Sequence, residues 1–186
     1  MQLAVALDTE TTGFCEPEHR LVEVYLDLVD LQARKKLYTF YRRINPLRSM
    51  PAEAQRVHGI SGADLLNEQP FEVIGPVLRQ VLDKAQLFVA HNAEFDFKFL
   101  NMEFDRISQP VLDLPVFCTM EKSIWAAPTG KKPSLKELCF AMEVEYDDAK
   151  AHAAAYDVEV MTECLFRGLE WGNYTLPAGP ALQMAA

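Results

Sequence analysis

The sequence predicts an α/β protein whose strands lie near the N-terminus and whose helices follow them. Two observations lead to this fold class. Three apolar or β-branched runs, separated by short loops, open the chain, whereas most later apolar residues recur at helical spacing. The length of 186 residues, 49% of them hydrophobic, suits one domain with a full core. We expect residues 1–170 to form this domain and residues 171–186 to form a loosely ordered tail.

Four segments have strand patterns. Leu3 to Leu7 is a continuous apolar run that ends at Asp8, as expected of a strand buried on both faces. Two β-branched or aromatic runs follow it closely enough to predict a meander, namely Leu21 to Val29 and Lys36 to Arg42. The fourth segment, Leu87 to Ala90, is short and wholly apolar.

The later apolar residues predict helices. Pro51, at a first helical position, begins a short helix that Gly59 ends. Helical spacing predicts two longer helices over Phe71 to Leu82 and Glu94 to Phe104. The second of these has three residues marking one face: Phe95, Phe99 and Met102. Further helices are expected near residues 120–125, 133–142 and 153–169.

Charge and cysteine content restrict where and how the chain acts. The 18 Lys and Arg and 27 Asp and Glu give a net charge of −9, which alone disfavours nucleic-acid binding unless some acids hold metal ions. The four cysteines have no C-x-x-C spacing and are expected to be reduced core thiols. Because no apolar stretch approaches the roughly 18 residues of a membrane span, we predict a cytoplasmic protein with no membrane partner.

The first candidate site motif is Asp8-Thr9-Glu10-Thr11-Thr12-Gly13, at the end of the first strand. A strand's period of two places Asp8 and Glu10 on the same face. Adjacent carboxylates repel each other, so the pair is stable mainly with a cation between them. Oxygen ligands suit Mg²⁺ or Mn²⁺. Taken alone, the motif is equally explained by two solubilising charges at a strand end.

The second candidate motif follows the fourth strand, where His91 and Asn92 form a polar turn before a helix. Asp96 lies in the first turn of that helix, next to the core-facing Phe95 and Phe99. The helix dipole tolerates a carboxylate at this position. In isolation, Asp96 is better explained as an acid that stabilises the helix start.

The third candidate motif contains His152 and Asp157. An offset of five residues rotates a side chain by roughly 140° on a helix, so the two cannot share a helical face. We therefore expect His152 in the loop that enters the helix and Asp157 on the inward side of the helix. The small residues Ala153 to Ala155 favour a close approach of this helix to the sheet. The alternatives are an ordinary histidine and a solvated aspartate.

In order, the three motifs resemble those of the DnaQ-like, or DEDD, 3′–5′ exonuclease superfamily. Asp8 and Glu10 match its D-x-E-T-T-G motif, Asp96 matches H-N-x-x-F-D-x-x-F-L, and Asp157 matches the third motif. His152, five residues before the last acid, is typical of the histidine subtype, DEDDh. The resemblance implies an RNase H-like exonuclease fold, with a mixed central β-sheet flanked by α-helices.

The same resemblance implies a reaction. Four acids would hold two Mg²⁺ or Mn²⁺ ions: Asp8, Glu10, Asp96 and Asp157. His152 would be the general base that takes a proton from the attacking water. The expected activity is hydrolysis of nucleic acid, DNA more than RNA, from the 3′-OH end to release 5′-mononucleotides. A related RNase H-like endonuclease is disfavoured by the H-x-x-x-x-D spacing.

Substrate contacts and partners are also implied by the resemblance. The residues expected at the terminal nucleotide are Thr11, Glu53, His58 and Phe95. Stacking and sugar contacts of this kind tolerate any base sequence. The implied partner is the 3′ end of DNA, or of RNA, and a DNA polymerase is a second candidate partner. The alternative function is a polymerase-associated proofreading or binding module with little activity alone.

Overall fold

A computed structural model describes residues 2–14 and 17–177. Its sheet has five strands: β1 (Leu3–Thr11), β2 (Leu21–Asp30), β3 (Lys35–Arg43), β4 (Leu87–Ala90) and β5 (Val116–Cys118). Their order across the sheet is β3-β2-β1-β4-β5. The pairs β1–β2 and β2–β3 are antiparallel, whereas β1–β4 and β4–β5 are parallel. This mixed sheet, flanked by helices, confirms the predicted fold class.

The strands differ from the prediction at two places. The first strand continues beyond Leu7 to Thr11, so both acids of the first motif lie within β1. Strand β5 was not predicted, because it has only three residues and follows Pro115. The predicted meander of the first three strands is confirmed.

Six helices accompany the sheet in the described residues: α1 (Ala52–His58), α2 (Phe71–Leu82), α3 (Ala93–Arg106), α4 (Thr119–Lys122), α5 (Leu135–Ala141) and α6 (Ala154–Glu170). Gly59 ends α1 in the left-handed conformation, with φ of 76°. The predicted face of α3 is wrong at Met102, which is half-buried, while Leu100 and Phe104 are fully buried. None of the helices in the described residues has the length and apolarity needed to cross a bilayer.

Alternation along β1 divides the core into two halves. Val5 and Leu7 pack against α2 and α3, whereas Ala4 and Ala6 pack in the cluster that contains α5 and α6. The same alternation continues through the acids, since side chains two residues apart share a face. Asp8 and Glu10 are therefore on the α6 side of the sheet, and Thr9 is on the α3 side.

The chain beyond residue 170 contributes to the core. Tyr174 is 5% exposed, and its ring centroid lies 5.2 Å from that of Phe117. The Tyr174 hydroxyl is 2.5 Å from the Ser123 hydroxyl, and both residues are buried. Part of the predicted tail is thus packed on the domain, while residues 178–186 lie outside the described residues.

The cysteines agree with the expectation of reduced core thiols where the structure describes them. Cys118, Cys139 and Cys164 are buried and free. The sulfurs of Cys139 and Cys164 are 3.7 Å apart, between α5 and α6. Cys15 lies outside the described residues.

Candidate active site

Strand β1 presents two carboxylates at its C-terminal end. Asp8 pairs with Tyr25 of β2, and Glu10 pairs with Glu23. Both acids of β1 are half-buried and point to the side of the sheet that α6 covers. Ala4 and Ala6, on the same face, are fully buried. Their small side chains let the helix lie close to the strand that carries the acids.

Asp96 is the most deeply buried acid of the predicted site, at 2% exposure. Asn92, in the left-handed conformation with φ of 75°, turns the chain from β4 into α3 and brings Asp96 toward β1. Thr9 then donates two hydrogen bonds to the same oxygen, Asp96 Oδ1: one from its backbone N–H at 3.0 Å and one from its hydroxyl at 2.7 Å. Thr9 was missed in the sequence, where it is only the residue between two acids.

His91 belongs to the scaffold of the site. Its Nδ1 lies 3.0 Å from the Thr119 hydroxyl, and its Nε2 lies 3.1 Å from the Pro133 carbonyl, to which Nε2 donates. Burial lowers the pKa of His91 to about 4, so the ring stays neutral near pH 7. It links the end of β4 to the start of α4 and to the loop before α5, and it is not available as a base.

Helix α6 brings the last acid to the site. Asp157 is in its first turn, and its Oδ2 accepts a hydrogen bond from the backbone N–H of His152 at 3.2 Å. As predicted, His152 lies in the loop before the helix. Its φ is 62° and its side chain is exposed. Of the three alanines expected to allow close approach, Ala154 is fully buried, whereas Ala153 and Ala155 are exposed.

Two adjoining cavities contain all nine residues singled out in the sequence. The acid cavity, of about 560 Å³, is lined by Asp8, Glu10, Asp96, His152 and Asp157. The terminal cavity, of about 480 Å³, is lined by Glu10, Thr11, Glu53, His58 and Phe95. Glu10 and Phe95 line both cavities, which places the two spaces side by side at the end of β1.

Burial disfavours the ionised forms of all four acids, and repulsion from neighbouring acids adds to this at Asp8 and Glu10. Burial raises the pKa of Asp8 well above its usual range, and repulsion from Asp96 and Glu10 raises it further. Burial also raises the pKa of Glu10 to about 8 and that of Asp96 to about 7, although the Thr9 hydrogen bonds oppose the latter shift. The pKa of Asp157 is raised by burial as well. A cation among these groups would offset both repulsion and lost solvation.

Glu23 is a fifth acid at this site, which the sequence interpretation missed. It is 6% exposed and accepts hydrogen bonds from the Tyr41 hydroxyl at 2.8 Å and from Arg43 Nε at 3.1 Å. Repulsion from Glu23 is the second cause, after burial, of the raised pKa of Glu10. The available signal was a charged residue inside the apolar run of the second strand, which Glu23 shares with Asp27.

The donor set fits hard divalent ions. Asp157 Oδ1 is buried and has no hydrogen-bond partner among the described residues. An orphaned carboxylate oxygen on a residue that shares a cavity with other acids is typical of a ligand position. Within residues 2–14 and 17–177, no three His, Cys, Asp or Glu side chains are arranged so that they could hold a metal ion by themselves. Mg²⁺ suits such a site, because it commonly binds one or two carboxylates and completes its shell with water and phosphate oxygens.

Comparisons with known proteins assign the chain to a family. The family model described as Exonuclease matches residues 5–165. The chain is 34% identical over 167 residues to the DNA polymerase III subunit epsilon of Rickettsia conorii, covering 86% of this chain and 70% of that one. It is 33% identical over 159 residues to the 3′-5′ exonuclease DinG of Bacillus subtilis, covering 86% of this chain and 17% of that one.

Solved structures share the fold. E. coli exonuclease I in complex with single-stranded DNA matches with a TM-score of 0.78 at 14% identity, over 92% of this chain and 41% of that one. Exonuclease X in complex with 5′ overhanging duplex DNA matches with a TM-score of 0.67 at 22% identity, over 94% of this chain and 95% of that one. On its family model and its curated relatives, the chain belongs to the exonuclease family, among the DnaQ-like 3′–5′ exonucleases.

Proposed function

We propose that this chain removes nucleotides stepwise from the 3′ end of DNA, using two Mg²⁺ or Mn²⁺ ions. The observation that carries the proposal is the convergence of four acids and the His152 loop on one cavity beside a second cavity of nucleotide size. The similarity to a DNA polymerase subunit and to an exonuclease bound to single-stranded DNA supports DNA as the substrate.

The four acids act as ligands in this proposal. Asp96 is the most buried of them, and Asp157 contributes an oxygen that has no hydrogen-bond partner among the described residues. When bound, two divalent ions neutralise charge on the phosphoryl oxygens and on the leaving 3′ oxygen. Thr9 holds Asp96 by two hydrogen bonds and so orients one carboxylate before any ion arrives.

His152 takes the proton of the attacking water in this proposal. Its backbone is tied to Asp157 by a hydrogen bond of 3.2 Å, while its exposed side chain is free to turn toward the acid cavity that it lines. The imidazole of a histidine changes charge near neutral pH, which suits a general base. His91 cannot compete for this role, because both of its ring nitrogens are engaged.

The terminal cavity receives the 3′-terminal nucleotide in this proposal. Phe95, whose ring centroid is 4.9 Å from that of buried Phe99, offers an aromatic wall between the two cavities. Thr11, Glu53 and His58 supply polar groups around the same space. Stacking on an aromatic side chain serves every base, so the enzyme would trim ends of any sequence.

The test is a time course on 5′-labelled DNA and RNA oligonucleotides, single- and double-stranded, with Mg²⁺ or Mn²⁺. We expect a ladder that shortens one nucleotide at a time, release of 5′-mononucleotides and complete arrest by EDTA. Asp8→Ala and Asp157→Ala should abolish turnover while the fold is retained. Nicking of a circular single strand as the main activity would contradict the proposal.

A second candidate function is that of a proofreading subunit that works in a polymerase complex. Its support is the 34% identity to a DNA polymerase III epsilon subunit over 70% of that protein. The nuclease activity of the isolated chain distinguishes the two candidate functions. Full activity alone favours an independent exonuclease, whereas weak activity that a polymerase subunit restores favours the second function.

A further inference from the structure

The loop that follows β1 places a histidine at the terminal cavity. His19 lines this cavity together with Thr12, Gly13 and Phe14, and the α1 residues Ala54 and Val57 line it as well. We propose that His19 Nε2 donates a hydrogen bond to the minor-groove edge of the 3′-terminal base, which makes His19 a further substrate-binding residue. This inference rests on the proposed function, because it assumes that the terminal nucleotide occupies this cavity.

The imidazole of His19 is seated directly on Gly13. A Cβ atom on Gly13 would lie 2.3 Å from His19 Cε1 and 2.8 Å from Nε2, distances that atoms cannot adopt. Thr11 reinforces the turn, since its hydroxyl donates to the Gly13 carbonyl at 2.5 Å. The absence of a side chain at Gly13 is therefore what lets the ring reach the wall of the cavity.

Hydrogen bonding assigns the proton of the neutral His19 ring to Nε2. Thr12 is fully buried, and its hydroxyl oxygen accepts from the backbone N–H of Arg20 at 3.0 Å. The same oxygen lies 3.1 Å from His19 Nδ1. Because a buried hydroxyl hydrogen needs an acceptor, it is donated to Nδ1. The neutral ring then carries its own hydrogen on Nε2, as a donor.

The backbone of His19 is fixed from α3. Arg106 Nη2 donates to the His19 carbonyl at 3.0 Å and also to the Pro17 carbonyl. Glu103, fully buried, orients Arg106 through a contact of 2.7 Å and also accepts from Arg20 Nε at 2.8 Å. The helix that carries Phe95 and Asp96 at its start thus holds the His19 loop at its end. A donor fixed in this way loses little freedom when a ligand binds.

One donor at this position suits an enzyme that accepts any base. The minor-groove edge of each base has an acceptor at an equivalent place, the O2 of pyrimidines or the N3 of purines. A hydrogen bond to that acceptor orients the terminal nucleotide and leaves the choice of base open. The ligand class is therefore a 3′-terminal nucleotide recognised through its minor-groove acceptor.

The experiment measures binding and hydrolysis of oligonucleotides that differ only in the 3′-terminal base. Deoxyadenosine is compared with its 3-deaza analogue, which lacks the N3 acceptor, and with its 7-deaza analogue, which keeps N3, as the matched control. Affinity for the wild-type chain is measured by fluorescence anisotropy with Ca²⁺, and hydrolysis is measured in parallel with Mn²⁺. We expect the 3-deaza end to bind about two- to tenfold more weakly, the size of one neutral hydrogen bond, and the 7-deaza end to bind normally.

The variant His19→Phe keeps a ring against Gly13 and removes the donor. In this variant the difference between deoxyadenosine and its 3-deaza analogue should disappear. Equal affinities of the wild-type chain for the deoxyadenosine end and the 3-deaza end would overturn the role of His19. This comparison uses only the wild-type chain, so it does not depend on the folding of a variant. If the chain hydrolyses both ends but binds deoxyadenosine and its 3-deaza analogue equally, only the hydrogen bond from His19 is refuted. If it binds the two ends differently but hydrolyses neither, only the proposed activity is refuted. Absence of binding to every oligonucleotide would refute both.

Discussion

Thr9→Val is the substitution that best isolates how the scaffold prepares the acids. Valine has nearly the shape of threonine and keeps the backbone N–H that lies 3.0 Å from Asp96 Oδ1. It removes the hydroxyl that donates to the same oxygen at 2.7 Å. Because Asp96 is 2% exposed, no bulk water replaces the lost donor easily. The substitution therefore destabilises the ionised form of Asp96 relative to the protonated form, while the position of the side chain is kept.

The size of the effect follows from the contact. A hydrogen bond to a charged group contributes about 1.5–3 kcal/mol, which corresponds to about one to two pH units in the pKa of the acceptor. The pKa of Asp96 is already raised to about 7 by burial, with the Thr9 bonds opposing the shift, so Thr9→Val should raise it further. The same free energy predicts an affinity for Mn²⁺ that is about 10- to 100-fold lower, as expected when a ligand loses its supporting donor.

The assay is a Mn²⁺ titration of oligonucleotide hydrolysis. In Thr9→Val the half-saturating Mn²⁺ concentration should rise about 10- to 100-fold, while kcat at saturating metal stays within a few fold. Thr39→Val is the matched control, because the Thr39 hydroxyl also donates to a buried aspartate, Asp27, at 2.5 Å, away from the acid cavity. An unchanged metal requirement in Thr9→Val, or the same change in both variants, would refute the reasoning.

Three further predictions concern the base, the core and pH. His152→Ala should lower kcat about 10²- to 10⁴-fold and leave the half-saturating metal concentration within a few fold, because alanine keeps the backbone N–H that donates to Asp157. Normal turnover would exclude His152 as the base. Gly168→Ala would set a Cβ 2.3 Å from the Tyr174 ring and should cost about 1–3 kcal/mol in a thermal melt, unlike Gly62→Ala, whose Cβ meets its nearest neighbour at 3.6 Å. Burial raises the pKa of Glu10 to about 8 and that of Asp96 to about 7. Between about pH 6.5 and 8 these acids therefore hold more protons in the folded chain than in the unfolded chain. The Tm in EDTA should fall as the pH rises through this range. Added Mn²⁺ should raise the Tm more at pH 8 than at pH 6.5, and an equal rise at both values would contradict the shifted acids.

Local periodicity was sufficient to predict the strand and helix positions that carry the motifs. The i, i+2 spacing of Asp8 and Glu10 needs only the alternation of one strand, and the structure keeps both on the α6 side. The rotation argument likewise separated His152 from the helix of Asp157. Strand β5 has no such pattern, since it is defined by parallel pairing with β4, which lies far from it in the chain.

Pairing between distant segments also explains the residues that were missed. Glu23 becomes part of the site because the antiparallel register sets it opposite Glu10. Thr9 acquires its role only when α3 brings Asp96 to its hydroxyl, 87 positions away in the chain. His19 depends on the clamp from Arg106 in the same way. Each of these contacts is a property of the fold, so spacing along the chain carries no signal for it.

The net charge of −9 and the proposed substrate are compatible because charge acts locally at this site. Coulomb forces between exposed charges are largely screened beyond about 8 Å at physiological ionic strength. A phosphate in the acid cavity therefore responds mainly to the acids that line it and to any ions they hold. The four acids alone would repel the phosphate, whereas two divalent ions would contribute about +4 at that point, which would cancel the carboxylate charge and give the phosphate oxygens a cationic partner. Under the proposed mechanism the acidic cluster is the reason that the chain binds DNA, and the binding depends on the cations rather than on the field of the whole molecule.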